Sequence, residues 1–309
     1  MAAKTDSMRL WTRRHFFQGA LGLALTRALS AAGSRVRPLR LVHWRGFHWG
    51  GKDGGGGACR GAWEGGLKQG PGLIILNGDH GDNGDGELDF GERLTGLWGQ
   101  LVPRLPASSV PLLLCLGNSD FRNNYQTDPN TLAETCEIYR RMLGSRYYLD
   151  ELGNGRREAA GLAWLSLNSQ MFSPKNRYSG AVAQGAQSLR WLREQLASST
   201  GPAVILTHIP PCLDLYLGAS AWRVGGSEEF WAIVESHPRP CWLVGGHFHR
   251  NEVHARARGR TPVPLLVAGS LSRKYDYAPN WRSWSWQVGP EGLVDCRYRL
   301  YYPGHADWE

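Results

Sequence analysis

Four apolar segments of this 309-residue chain each end in a side chain of a type that binds metal ions. The side chains are Asp79, Asn118, His208, and the pair His247 and His249. Carboxylate, amide oxygen and imidazole suit zinc, manganese or iron, and their spacing does not select between these ions. A single Gly-Asp or Gly-Asn is usually a turn, whereas four such endings in order predict one divalent metal site.

The segments that must position these residues have the pattern of buried strands. Residues 73–76 form a short apolar run that stops at Asn77, Gly78 and Asp79, and the later segments repeat this design. A strand fixes the backbone while the loop after it can face a crevice, so ligands collect at strand ends. Strands that alternate with helical patterns predict a layered α/β fold.

The other elements are predicted from periodicity and turn residues. Helices are predicted over 88–105, 132–143, 188–197 and 228–236, and a first strand over 39–44. Segments 263–268, 283–288 and 293–300 alternate as strands of a second sheet. The glycine-rich stretch 50–66 is interpreted as a loop within one domain.

Acidic residues precede the predicted helix at 88–105. They are Asp82, Asp85, Glu87 and Asp89. Negative charge at a helix N-terminus is favourable, which is sufficient reason for the cluster. Asp82 alone is expected near the metal site.

The ordered motifs GD, GN, H and GHxH resemble those of the calcineurin-like metallophosphoesterases. Segments 164–169, 187–196 and 207–211 are similar to stretches of the acid sphingomyelinase-like phosphodiesterase group, and the resemblance covers about residues 38 to 290. It implies a four-layer α/β/β/α sandwich of two mixed sheets.

The resemblance also implies a division of the ligands between two metal ions. Asp79 would bridge both ions, and Asn118, His208 and His247 would complete the second site. His48 and His249 would hold the first ion. The catalytic residues implied are Asn118, Ser119 and His208.

Two positions depart from the family pattern. Gly46 stands where the family has the aspartate of Asp-x-His, and Ser119 stands where it has a histidine that protonates the leaving oxygen. The first site is therefore expected to be depleted, with one or two ions per chain. Restoring both side chains is expected to raise activity.

The function implied is hydrolysis of a phosphodiester, pyrophosphate or phosphomonoester by metal-activated water. The alternative is a non-catalytic member that binds metal or a phosphorylated ligand. Arg45, Arg273 and Tyr275 are candidate substrate contacts, although the last two fit a solvated loop equally well. Arg45 could instead occupy the place of the first metal.

The N-terminus carries a twin-arginine pattern at Arg13 and Arg14, followed by an apolar stretch and the small residues 30–32. This predicts an export signal over 1–32, a phosphoesterase domain over 33–309, recognition by the twin-arginine translocation machinery and a periplasmic or secreted location. The alternative is a basic helix of a cytosolic protein. The apolar stretch is too short to span a bilayer, so no stable membrane insertion is expected.

Charge and cysteine usage exclude other classes. Residues 1–32 carry five basic side chains and one acidic side chain, so their removal lowers the formal net charge from +8 to +4. No basic and aromatic stripe is present, and no nucleic-acid partner is expected. The six cysteines form no CxxC pair, which excludes a zinc knuckle and leaves disulfide pairing open.

Overall fold

A computed structural model describes residues 37–49, 56–82, 89–105, 110–122, 126–173, 175–211, 226–239, 241–256, 263–271, 280–289 and 292–301. The strands are β1 Arg37–Trp44, β2 Leu73–Asn77, β3 Leu112–Cys115, β4 Gly155–Ala159, β5 Leu162–Leu167, β6 Ala203–Thr207, β7 Cys241–Gly245, β8 Glu252–Arg256, β9 Val263–Val267, β10 Trp281–Gly289 and β11 Gly292–Tyr301. The α-helices are α1 Gly56–Lys68, α2 Phe90–Leu101, α3 Pro129–Leu143, α4 Ala181–Ser198 and α5 Ser227–Ser236. Short 3-10 turns cover Val102–Arg104, Asn118–Asp120, Gly144–Arg146 and Gln170–Phe172.

The strands form two mixed sheets. The first sheet has the order β11-β10-β1-β2-β3, and the second has the order β4-β5-β6-β7-β9-β8. Strands β1, β2 and β3 are parallel, and so are β5, β6, β7 and β9, whereas the outer pairs are antiparallel. Parallel strands end at a common edge, so the loops after β1, β2 and β3 meet, and those after β6 and β7 meet.

Three apolar clusters separate four layers. One cluster lies between the sheets and includes Ile75 and Leu113 from the first sheet and Leu206 and Val244 from the second. A second cluster joins the first sheet to α1, α2 and α3, and a third joins the second sheet to α4 and α5. The predicted α/β/β/α sandwich of two mixed sheets is confirmed.

The strands that carry the predicted ligands are buried on both faces. All five residues of β2 are buried, as are all five of β6. Strands covered on both faces have continuous apolar runs in place of alternation. This is why the runs before Asp79 and His208 were readable as strands from the sequence.

The four predicted helices are present, and aspartate side chains cap the N-termini of two of them, Asp89 in α2 and Asp128 in α3. Asp89 accepts from the backbone N–H of Glu92 at the start of α2, and the Glu92 side chain accepts from the N–H of Asp89. This reciprocal pair satisfies two otherwise unpaired donors. Asp85 and Glu87 lie outside the described residues.

The prediction of a loop over 50–66 is wrong from residue 56 onward, where α1 begins. Cys59 and Trp63 lie one helical turn apart and are both fully buried against the first sheet. Gly66 allows a close approach, because a Cβ there would collide with the indole of Trp44. Gly66 therefore serves helix packing, a use that composition alone does not indicate.

The assignment of the C-terminal strands to one second sheet is also wrong. Strand β9 pairs with β7 in the six-stranded sheet, whereas β10 and β11 extend the first sheet through the antiparallel pairing of β10 with β1. Trp284 and Trp286 of β10 enter the cluster between the sheets. Alternation predicts a buried face but does not identify the neighbouring strand.

Five cysteines fall within the described residues, and all five are buried: Cys59, Cys115, Cys136, Cys241 and Cys296. Cys212 and the twin-arginine segment lie outside those residues, so the export signal stays a prediction. Among the described helices, none has both the length and the apolar character needed to cross a membrane.

Candidate metal centre

Asp79 lies in the loop after β2 and is almost completely buried, at 1% exposure. Its Oδ1 accepts a hydrogen bond from the backbone N–H of Ser119, at 2.8 Å. This bond ties the loop after β2 to the loop after β3 and fixes the carboxylate. The second oxygen, Oδ2, faces the histidines described next.

His48 reaches Asp79 from the loop after β1. The backbone N–H of His48 donates to the carbonyl of Asp79 at 3.0 Å, so the two loops run side by side. His48 Nε2 lies 3.6 Å from Asp79 Oδ2. On the other side of the ring, Nδ1 lies 4.0 Å from Asp82 Oδ1. Asp82 therefore lies on the outer side of His48, beyond hydrogen-bond distance of this nitrogen.

His208 follows β6 and contacts Asp79 from the second sheet. Its Nδ1 lies 2.9 Å from the carbonyl oxygen of Asn77, which fixes the N–H at Nδ1 because a carbonyl oxygen only accepts. Nε2 lies 3.0 Å from Asp79 Oδ2, and its lone pair becomes available to an ion once the imidazole gives up its second proton. The backbone carbonyl thus sets the tautomer that metal binding requires.

His247 and His249 follow β7 and complete two groups of ligands. We call His48, Asp79 and His249 the first triad, and Asp79, His208 and His247 the second triad. Within each triad, the ligand atoms all lie within 4.8 Å of one another. The two triads share Asp79, and His48 Nε2 lies 3.3 Å from His249 Nε2.

The separations between these atoms fit metal coordination. Ligands about 2.0–2.1 Å from a tetrahedral zinc ion lie about 3.3 Å apart. The contacts of Asp79 Oδ2 at 3.0 and 3.6 Å, and the histidine pair at 3.3 Å, bracket this value. The donor set and its spacing therefore fit a divalent ion of the first transition series, the class that the sequence predicted.

Backbone strain is concentrated at these ligands. Five non-glycine residues among those described have positive φ, namely His48, Asp79, Ala160, His247 and His249. Four of the five are triad members, with φ values of 44°, 55°, 72° and 57° for His48, Asp79, His247 and His249. A non-glycine residue in this region costs on the order of 1–3 kcal/mol and persists where the surroundings enforce it. The surrounding structure therefore enforces this backbone conformation at the candidate ligands.

The electrostatics keep the carboxylate ionised. Burial alone would raise the pKa of Asp79, but the contacts with His208 and then with His48 and Arg45 outweigh it and hold the pKa well below its ordinary value. The charge of Asp79 is therefore available to a cation across the whole neutral range.

The two histidines after β7 are neutral at physiological pH. Burial, together with His208, lowers the pKa of His247 well below its usual value. Burial, followed by Arg45, lowers the pKa of His249 far below the usual range. Metal binding requires an unprotonated imidazole, so these shifts favour metal binding over proton binding.

Asn118 and Ser119 lie in the loop after β3, next to Asp79. Both are buried, and the amide nitrogen of Asn118 contacts Ser119 Oγ at 3.3 Å. Ser119 contacts Asp79 through its backbone N–H, at 2.8 Å, so the side-chain type at this position is not what binds the carboxylate. The structure brings both residues to the site and gives Ser119 a clear backbone role.

Gly46 has no room for the aspartate that the family resemblance implies. Its φ is +60°, and a Cβ would collide with Ser270 Oγ and lie 3.0 Å from Ser270 Cβ. Ser270 Oγ donates to the Gly46 carbonyl at 2.9 Å, so the serine is fixed in this position. An aspartate at position 46 would therefore strain the backbone and collide with Ser270, which counts against the gain expected from restoring both side chains.

The three candidate substrate contacts have different outcomes. Arg45 is buried, at 1% exposure, and its Nη1 donates to the carbonyl of Ala268 at 3.0 Å. It lies beside the triads and not on an open surface. Arg273 and Tyr275 lie outside the described residues.

One buried group at the site was missed from the sequence. Asp120 accepts from the backbone N–H groups of His80 at 2.7 Å, Gly81 at 3.2 Å and Gly117 at 2.7 Å. Its Oδ2 also lies 3.0 Å from His80 Nδ1, which in turn lies 2.7 Å from the hydroxyl of Tyr139. His80 lies one residue after the predicted ligand Asp79, and Asp120 lies two residues after the predicted ligand Asn118. This closeness in sequence was the available signal that both lie at the site.

A two-sheet sandwich with carboxylate and imidazole ligands gathered at adjacent strand ends defines a metallophosphoesterase type of protein. The sequence matches the family model of the calcineurin-like phosphoesterase over residues 59–251. This match spans more than half of the chain, and the chain therefore belongs to the calcineurin-like phosphoesterases. No curated protein sequence is significantly similar to it.

Solved structures share the fold at low sequence identity. A dimetal phosphatase from Danio rerio superposes with a TM-score of 0.56 at 13% identity, covering 84% of this chain and 98% of that one. GAP50, the anchor in the inner membrane complex of Plasmodium, has a TM-score of 0.51 at 9% identity, with 84% and 88% covered. The protein TT1561 of Thermus thermophilus has a TM-score of 0.50 at 13% identity, with 85% and 99% covered. These likenesses extend the sandwich architecture to most of the chain.

Proposed function

We propose that the protein is a metal-dependent phosphoesterase that hydrolyses a phosphodiester, a pyrophosphate or a phosphomonoester. The observation that carries the proposal is the pair of triads that share one oxygen, Asp79 Oδ2, with His208 Nε2 at 3.0 Å and His48 Nε2 at 3.6 Å. A shared carboxylate between two sets of imidazoles is suited to an ion that must also contact a substrate.

The second triad is the part of the site that would hold an ion most firmly. Asp79 supplies the charge, and His208 and His247 supply neutral imidazoles, with Asn118 adjacent in the loop after β3. A bound divalent ion would polarise a phosphoryl oxygen and lower the pKa of water. Two backbone groups would hold the ligands in place around that ion. The Asn77 carbonyl orients His208, and the Ser119 N–H orients Asp79.

The depleted first site and the subgroup are part of the same proposal. The absence of a side chain at Gly46 leaves the first triad with no carboxylate of its own. Membership of the acid sphingomyelinase-like phosphodiesterase group is supported by the three sequence stretches at 164–169, 187–196 and 207–211. That group favours phosphodiesters among the three substrate classes.

Hydrolysis of model esters by defined metal forms tests the proposal. We would remove metal with a chelator, reload with zinc, manganese or iron, and assay a bis-aryl phosphate, an aryl phosphate and pyrophosphate. Asp79→Asn is the matched control, since an asparagine oxygen can still accept from the Ser119 N–H. We expect metal-dependent release of product that this variant lacks. Equal rates for the two proteins on all three substrates would contradict an enzymatic role.

A second candidate function is binding of a metal or a phosphorylated ligand without turnover. Gly46 and Ser119 favour it, because each lacks the side chain that the family pattern implies. One structural neighbour, GAP50, is itself described as an anchor. Retention of a non-hydrolysable phosphodiester by metal-loaded protein, with no product from the hydrolysable form, would support this role over catalysis.

We also propose that the chain is exported by the twin-arginine machinery to the periplasm or beyond. The paired guanidinium groups of Arg13 and Arg14 are the support, because translocation receptors recognise such pairs as an address. Replacing both with lysine should leave the protein in the cytoplasmic fraction. Unchanged delivery of that variant would contradict export by this route.

A further inference from the structure

Arg45 is a buried cation that connects the two sheets next to the metal centre. It directly follows β1 and is 1% exposed. Its Nη1 donates to the carbonyl of Ala268, at 3.0 Å, and its own carbonyl accepts from the N–H of Leu271, also at 3.0 Å. Both partners follow β9, so Arg45 joins the first sheet to the second.

The side chain of Arg45 passes between the loops that carry the ligands. The next residue, Gly46, donates to the carbonyl of Gly78, which adjoins Asp79. On the other side, Arg45 Nε lies against Gly246, where a Cβ would approach it to 2.5 Å. Gly246 adjoins His247. The guanidinium therefore lies close to the chain segments of both triads.

The charge of Arg45 has little compensation. Nε and Nη2 are buried and have no hydrogen-bond acceptor among the described residues. The carboxylate with which Arg45 interacts electrostatically is Asp79. Burial lowers the pKa of Arg45 to about 10, which still leaves the guanidinium protonated at neutral pH. The buried charged side chains at the site therefore include the shared carboxylate of Asp79, the carboxylate of Asp82 on the outer side of His48, and one permanent cation.

A second divalent ion would face strong repulsion at this site. The first triad contributes two neutral imidazoles and a share of Asp79, whose single negative charge Arg45 already offsets. An ion in the second triad adds two further positive charges nearby. Gly46 supplies no carboxylate to balance them. Like charges in a buried site are screened less than at the surface, so their repulsion lowers metal affinity.

We propose that the fixed positive charge of Arg45 excludes a second divalent ion from the first triad and makes the centre mononuclear, with its ion in the second triad. The inference rests on the proposed function only in that the triads bind metal. Turnover is not required. Loss of hydrolysis with an unchanged metal count would therefore count against the function and not against this inference.

Metal titration of three proteins tests the role of the charge. We would titrate metal-free wild type, Arg45→Lys and Arg45→Gln with zinc or manganese alone, and measure bound metal after gel filtration. We expect about one equivalent for wild type and Arg45→Lys, and about two for Arg45→Gln. The dissociation constant of the second ion should fall at least about tenfold in Arg45→Gln. Lysine keeps the positive charge and glutamine removes it, and both substitutions remove the branched guanidinium group.

Arg282 offers a matched control. It is also buried between the sheets, at 1% exposure on β10, opposite His43 of β1. Burial and then its charge lower the pKa of His43, whereas Arg45 is the arginine whose charge lowers the pKa of Asp79. Arg282→Gln should keep about one equivalent of metal. If this variant also takes up a second ion, general loosening of the layer between the sheets would explain the result and the proposal would be overturned.

Wild-type protein provides a test that does not depend on the folding of any variant. Manganese-loaded wild type should give the electron paramagnetic resonance spectrum of an isolated ion, and loading with excess manganese, followed by removal of unbound ion on gel filtration, should not change it. The spectrum of a spin-coupled pair would overturn the proposal. The proposal would also be overturned if folded Arg45→Gln bound as much metal as wild type and lost phosphate binding instead. Arg45 would then serve to bind the anion.

Discussion

The two triads share a carboxylate and a strained backbone, yet their surroundings differ. The second triad has His208 oriented by the carbonyl of Asn77 and lies against the loop that Asp120 braces. The first triad lies beside Gly46, which has no room for a side chain, and beside the buried cation Arg45. The ligands are gathered in both places, but the charge that would stabilise an ion differs.

This difference separates two properties of a metal site, namely the geometry of its ligands and its affinity for an ion. Positive φ at His48, Asp79, His247 and His249 shows that the fold enforces ligand geometry in both triads alike. Affinity for a divalent ion further depends on net charge in a buried site, and there the triads diverge. If the first triad binds no ion, as we propose, the fold keeps a set of ligands in place without the charge needed to hold their ion.

The largest expected effect is from Asp79→Asn, which removes the residue that the triads share. We expect loss of firmly bound metal and a fall in any hydrolytic rate of at least about a thousandfold, because the only carboxylate of both triads is lost. Metal analysis and the phosphoester assays would measure this. The melting temperature serves as the control, since asparagine can accept from Ser119 N–H. Full metal retention by Asp79→Asn would show that the two triads do not depend on their shared carboxylate.

Histidine substitutions, one in each triad, compare the two halves directly. His208→Gln should weaken metal binding by at least about a hundredfold, because it removes a ligand whose tautomer the Asn77 carbonyl fixes. His249→Gln should change it by only about a few-fold, since the first triad would hold no ion in wild type. Titration calorimetry with zinc would give both values. Equal losses would show that the halves contribute equally.

Gly46→Asp should destabilise the protein and leave the first triad without a tight ion. The positive φ and the collision with Ser270 are expected to cost about 1–3 kcal/mol in unfolding free energy. Gly46→Ala is the steric control without a carboxylate. The double variant Gly46→Asp with Ser270→Gly relieves the contact and should recover part of the stability. Denaturant unfolding would measure each, and an undiminished stability for Gly46→Asp would refute the steric account.

Asp120 should make the brace behind the second triad sensitive to acid. Burial alone would raise the pKa of Asp120, but the contact with His80 and the backbone donor at Gly117 hold it below its ordinary value of 3.8. Its contribution is therefore complete above that value and is lost as pH falls through the lower folded pKa. Asp120→Asn should cost about 2–3 kcal/mol at neutral pH.

Unfolding measured between neutral pH and pH about 3 would test this dependence. The loss of stability on acidification should be smaller in Asp120→Asn than in wild type, because the asparagine has no proton to take up. Parallel pH profiles for the two proteins would show that Asp120 does not contribute through its charge.

The sequence by itself determined the strand-end ligands and the layered fold. Asp79, Asn118, His208, His247 and His249 were each predicted from an apolar run that stops at a polar side chain. The structure gathers the aspartate and the histidines at one place, and Asn118 adjoins Ser119, which contacts Asp79. This was possible because burial on both faces produces a continuous apolar segment that is visible locally. Capping residues such as Asp89 likewise act on neighbours three positions away.

Only the tertiary structure decided which distant groups surround those ligands. The pairing of β10 with β1, the contacts of Asp120 with His80, the obstruction of Gly46 by Ser270 and the burial of Arg45 all join residues far apart in the chain. Periodicity encodes whether a side chain is buried, but not which neighbour it meets or what charge that neighbour carries. The balance between the two triads depends on those neighbours, and it therefore emerged only when the sheets were packed together.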